Sequence, residues 1–148
     1  MALSRRHLAI LMTASILVVG ISGSTAAGGP RLALEGHDPV AYFTMGRPIK
    51  GNDKWSYVHD ETRYLFANAE HRAMFVAAPD KYAPMYNGYC ARGMIKGKKF
   101  EPNPENWAIV DGHLFIASGS RDADPLALEK AQIVQGKAQW ETVRKEKQ

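Results

Sequence analysis

The chain has 148 residues, one cysteine, 13 glycines, 8 prolines and a formal charge of +4. That length suits one domain and is short for two, and 45% hydrophobic with 23% charged residues excludes wholesale disorder. A single cysteine excludes an intrachain disulfide framework and any zinc site built from several thiolates. Arg5 and Arg6 form a basic start, Leu8 to Ile21 is apolar except for Thr13, Ser15 and Gly20, and Ser22 to Ala27 are small. The apolar stretch falls short of the roughly 20 residues of a comfortable spanning helix. Residues 1–27 are therefore read as a signal peptide cleaved after Ala26 or Ala27, the alternative being an uncleaved anchor. Without Arg5 and Arg6 the balance is 17 basic against 15 acidic residues, too even to imply nucleic acid.

Ser4-Arg5-Arg6-His7-Leu8 resembles a twin-arginine export signal, and paired arginines occur in Sec signals too. Either route predicts a periplasmic or secreted protein with no stable membrane insertion after cleavage. The domain is then 28–148. Ala27 to Pro30 is a linker, and Val40 to Phe43 is a short apolar run, a strand or a single helical turn. Trp55, Tyr57, Thr62, Tyr64 and Phe66 alternate around His59-Asp60-Glu61, which predicts a β-hairpin. Asn68 is placed to cap a helix reaching about Ala78, with His71, Met74 and Phe75 on one face.

The stretch from Pro84 to Gly97 is glycine-rich, with a short helical turn expected near Cys90. Asp111-Gly112 between Ala108-Ile109-Val110 and Leu114-Phe115-Ile116 is the strongest hairpin signal of the chain. Asp124 and Pro125 suit the first positions of a C-terminal helix, and Gly136 is a candidate break in it. No internal repeat is legible. The order predicts an α+β fold, a small antiparallel sheet of hairpins packed against two or three helices.

Two stretches carry a resemblance. Gly36-His37-Asp38-Pro39-Val40-Ala41-Tyr42-Phe43 resembles the opening motif of the YHS-domain family, and Tyr64, Phe66, Phe75, Pro79 and Tyr82 resemble its central pattern. The segment from Tyr82 to Ala91, with Gly88-Tyr89-Cys90, resembles the exported branch. The resemblance runs from about Leu34 to Ile116. It implies a small α+β domain and an association with metal handling. In the metal-handling members cysteines stand where this chain has Ala41, Ala67 and His71, so the family's thiolate site is not reproduced.

Cys90 is the sharpest candidate, because an exported lone thiol is expected to be buried, metal-bound or reactive. Thiolate, imidazole and thioether donors suit copper or zinc, with thioether favouring Cu(I). The candidate metal ligands are Cys90, His71, Met85 and His37, with Met94 as a further thioether, and the expected cofactor is a transition metal, copper first. The site is expected between the Cys90 segment and the helix after Asn68, walled by Tyr64, Phe66, Phe75, Tyr82 and Tyr89. His59 and His113, at a hairpin tip and in a strand, are read as solvated. Walker, dinucleotide, His-Glu-x-x-His, Gly-x-Ser-x-Gly and Cys-x-x-Cys motifs are absent from the sequence.

Three functions follow. The leading expectation is a non-catalytic, exported metal-binding domain. The second is a structural or interaction module that hides a free Cys90 and meets another exported protein. The third is a thiol enzyme or redox protein using Cys90 as nucleophile, with Arg92, Lys96 and His71 as candidate cationic neighbours.

Overall fold

The computed structural model describes residues 28–146, so the expected signal peptide lies outside the described residues. Alternation of large side chains builds the first hairpin, β2 (Asn52–His59) against β3 (Thr62–Phe66), to which the two-residue β1 (Arg31–Leu32) adds in parallel. Its turn is tighter than the sequence suggested. His59 belongs to β2 and pairs with Thr62, leaving Asp60 and Glu61 to turn the chain, both at positive φ. Such backbone matches the twist of the flanking strands. The second hairpin, β4 (Asn103–Val110) with β5 (His113–Ala117), turns at Asp111-Gly112 as expected, again with both residues at positive φ.

Among the described residues there are five helices. Val40 to Phe43 resolves as the single turn α1 (Ala41–Thr44). In α2 (Ala69–Ala77) the Asn68 side chain accepts the His71 N–H at 2.8 Å, the cap read from sequence. Pro79 opens the short α3 (Pro79–Tyr82), and Cys90 caps α4 (Ala91–Ile95). Helix α5 (Lys130–Val143) starts later than expected. Glu129 and Gln132 form its capping box, while Arg92 holds both the Asp124 carboxylate and the Pro125 carbonyl in an irregular segment ahead of it. Nor does Gly136 break α5. It sits inside the helix against Tyr86, where a Cβ would stand 2.5 Å from the phenolic oxygen.

The fold carries a repeat that the sequence does not announce. Leu34-Glu35-Gly36 and Tyr86-Asn87-Gly88 each make a left-handed turn of three positive-φ residues. Each turn is closed by the next residue's N–H, His37 to Leu34 O at 2.9 Å and Tyr89 to Tyr86 O at 3.0 Å. Asp38 and Cys90 follow, and their N–H groups donate to Ile49 O and Phe100 O at 2.8 and 2.9 Å. A short helix and then a hairpin come next in both units. Both hairpins slip register at the same place, between Asn52 and Ser56 and between Asn103 and Trp107. Side chains differ between the units at nearly every position, and so the repeat is one of backbone.

Two buried clusters fill the α+β domain. Val40, Tyr42, Tyr64, Phe66, Phe75 and Tyr82 form the first, with Leu114 and Ile116. Tyr86, Tyr89, Cys90, Met94, Ile133 and Val143 form the second, with Phe115 and Ala117. Strand β5 thus alternates its side chains between the clusters and is covered on both faces. No helix among the described residues is long and apolar enough to cross a membrane.

Candidate functional site

Asp38 and Cys90 are equivalent points of the two units, and each is an acceptor aimed at the end of its hairpin. The Asp38 carboxylate, fully buried, accepts the Val40 N–H at 2.8 Å and the Ala67 N–H at 2.9 Å, Ala67 being the residue after β3. Cys90 Sγ accepts the Gly93 N–H at 3.5 Å and the Ser118 N–H at 3.2 Å, Ser118 being the residue after β5.

The two points differ in what covers them. Over Asp38 lies α2, whose His71 places Nδ1 2.5 Å from the carboxylate. A carboxylate only accepts, so Nδ1 carries the proton and Nε2 faces Thr44 Oγ1 at 3.3 Å. The residue is buried, its ring turned inward against Asp38. Beside Cys90, Ile133 and Val143 of α5 share its buried cluster, but among the described residues no side chain covers the sulfur as His71 covers Asp38. The chain from Gly119 to Glu129 is irregular, and a cavity of about 510 Å³ opens there, lined by Cys90, Arg92, Lys96, Phe100, Glu101, Ser118, Gly119 and Asp124.

Electrostatics favour the thiolate in this cavity. Burial pushes the Cys90 thiol up. The Ser118 side chain and the N–H groups of Ser118, Gly93 and Arg92 outweigh it and hold the thiol below its ordinary value. The Ser118 hydroxyl also reaches Glu101 O at 2.7 Å. Arg92 and Lys96, two of the three cations expected near a reactive Cys90, line the cavity with it, and His71 does not.

The sequence-derived ligand set is dispersed. His71 is engaged by Asp38 and Thr44. His37 Nδ1 lies 2.9 Å from Leu34 O, inside the first left-handed turn. Met85 packs against the second cluster and lines a different depression, whereas Met94 is fully buried in the same cluster as Cys90. The aromatic wall expected around the site is core instead. Tyr64, Phe66, Phe75 and Tyr82 belong to the first cluster and Tyr89 to the second. No three His, Cys, Asp or Glu side chains among the described residues are placed to hold a metal ion.

Asn106 and Asp38 were missing from the sequence reading of the site. Asn106, fully buried, donates to Asp124 O at 3.0 Å and accepts the Leu126 N–H at 2.8 Å, tying the cavity's irregular wall to β4. A lone Asn in a strand gives no such signal, since its partners are far away in sequence. Asp38 was legible as a turn residue before Pro39, without its partners. Searches of family models, curated proteins and solved structures found no match to the chain.

Proposed function

We propose that this chain is an exported, YHS-type binding domain that takes a soft transition metal, Cu(I) first, on the Cys90 thiolate, and turns nothing over. One observation carries the reading: Cys90 Sγ is held as a hydrogen-bond acceptor by Gly93 and Ser118 and lines an open cavity, whereas its counterpart Asp38 is covered by His71. A thiolate selects soft ions, and Met94, whose thioether has the same preference, is buried in the same cluster. The resemblance to the YHS family points the same way. Titration of the untagged protein with Cu(I) under anaerobic conditions tests it. The expected result is a copper–thiolate charge-transfer band that saturates at one equivalent and is absent from Cys90→Ser. A band-free titration of the parent chain would overturn the proposal.

Arg92 and Lys96 favour a second reading, thiol chemistry at Cys90, because cations beside a thiolate attract anionic electrophiles. It predicts fast reaction of native, metal-free protein with a small anionic disulfide and slow reaction after Arg92→Gln with Lys96→Gln. An unchanged rate in that pair of substitutions would count against it. If neither copper nor electrophiles engage Cys90, the interaction module with a hidden thiol becomes the first choice.

A further inference from the structure

A surface hydroxyl, an imidazole and a buried carboxylate stand in hydrogen-bonding line between α1 and α2. Thr44, the last residue of α1, is exposed, His71 of α2 is buried, and Asp38 is fully buried. Thr44 Oγ1 lies 3.3 Å from His71 Nε2, and His71 Nδ1 donates to Asp38 Oδ2. The line runs from the core to solvent, and no side chain has to turn to complete it. Its inner members are also held from outside the line. The Asp38 carboxylate accepts the N–H groups of Val40 and Ala67 at 2.8 and 2.9 Å, and the Asn68 cap pins the His71 backbone at 2.8 Å.

With its proton on Nδ1, the imidazole keeps a lone pair on Nε2, directed at Thr44. That is the tautomer a general base needs when a hydroxyl attacks a carbonyl carbon. Once Nε2 has taken the hydroxyl proton, the carboxylate beside Nδ1 stabilises the imidazolium. Thr44 Oγ1 also reaches Val40 O at 3.2 Å, so its one hydrogen has two acceptors, a carbonyl and the imidazole. The Asp38 carboxylate already has Val40 and Ala67 as donors, and neither requires an imidazole whose other nitrogen meets an exposed hydroxyl.

From this we infer that Thr44 is an acyl-acceptor site: with His71 as base and Asp38 as positioning residue, its hydroxyl takes an acyl group from an activated ester. Thr44 Oγ1 bonds to the acyl carbon, the C–O bond to the leaving group breaks, and the hydroxyl proton passes through His71 Nε2 to the leaving oxygen. One acyl-threonine and one alcohol result per chain, with no oxidation or reduction. The site uses neither Cys90 nor its cavity, so failure at either leaves the other standing.

The experiment uses untagged Cys90→Ser protein, so that the thiol does not compete. It is incubated with p-nitrophenyl acetate, and peptide mapping compares acetylation of Thr44 with that of the surface lysines. Thr44 is expected to be acetylated ahead of the lysines, Thr44→Ser to react at the same position, and Thr44→Val to give no adduct there. His71→Gln is expected to slow the Thr44 reaction by about a hundredfold or more, the size of a positioned general base, and to leave lysine acetylation unchanged. Asp38→Asn separates positioning from support of the fold. Its amide can donate to Nδ1, which moves the imidazole proton to Nε2. The nitrogen resonances of His71 are expected to show that exchange, and Thr44 acetylation to fall as in His71→Gln. Circular dichroism checks that each variant folds, and the two Thr44 variants, at an exposed position, carry the test should a buried substitution unfold the chain. No adduct at Thr44, acetylation of Thr44 no faster than that of the lysines, or an unchanged Thr44 rate in folded His71→Gln or Asp38→Asn would overturn the site.

Discussion

Asp38 and Cys90 do the same structural work with different chemistry, and this decides what each does when altered. The Asp38 carboxylate takes three donors, from Val40, Ala67 and His71. Asp38→Ala leaves them without an acceptor in the core, and an unsatisfied buried group costs about 1–3 kcal/mol. The expected loss is therefore ~3 kcal/mol or more, read as a lower urea midpoint, with Asp38→Asn losing less. Equal stability of the alanine variant would contradict the account. Cys90 predicts a pH effect. Its thiol lies below the ordinary value in the folded chain. The thiolate therefore stabilises the fold above the unfolded value, about 8.5 for a free cysteine, and that contribution is lost as pH falls through the lowered one. The alkylation rate of native protein against pH is expected to reach half its maximum below the value found for the unfolded chain. A half-point at or above the unfolded value would contradict it. Cys90 was legible in the sequence because its type is rare in this chain, whereas the pairing of His71 with Asp38 was not, since it joins two elements through one contact.

Helix α5 shows where element-level reading succeeds and stops. Its apolar spacing at Ile133, Trp140 and Val143 was legible, yet its start was not. Asp124-Pro125 has the local chemistry of a helix start, but Arg92 and Asn106 bind that segment from other elements. Gly136 gives a prediction of unusual sign. Within a helix Gly→Ala ordinarily stabilises by about 0.5–1 kcal/mol. Here the new methyl meets the buried Tyr86 ring at 2.5 Å from its oxygen, and overpacking costs about 1–3 kcal/mol. Gly136→Ala is expected to lower the melting temperature, and Gly136→Ala with Tyr86→Ala to show a smaller additional loss than Gly136→Ala alone. A raised melting temperature for the single variant would show that Tyr86 moves freely. Both hairpins were legible because alternation and a two-residue turn are local signals.

At the scale of the molecule, two similar backbone units share β5, one closed over Asp38 by a helix and one open over Cys90. The repeat escaped the sequence because backbone geometry was kept while side chains diverged: Asp38 stands opposite Cys90, and Ala67 opposite Ser118. The open cavity escaped it too, because its lining joins residues from Cys90 to Asp124 that lie far apart in sequence. Cys90 is buried at 3% exposure and lines that cavity. The most direct test follows Cys90 itself. Native protein is treated with iodoacetamide before and after one equivalent of Cu(I), and the product is read by intact mass and peptide mapping. The account predicts alkylation at Cys90 in the metal-free protein, its suppression by Cu(I), and its return when a chelator removes the copper. Alkylation of Cys90 at the same rate with and without Cu(I) would contradict it.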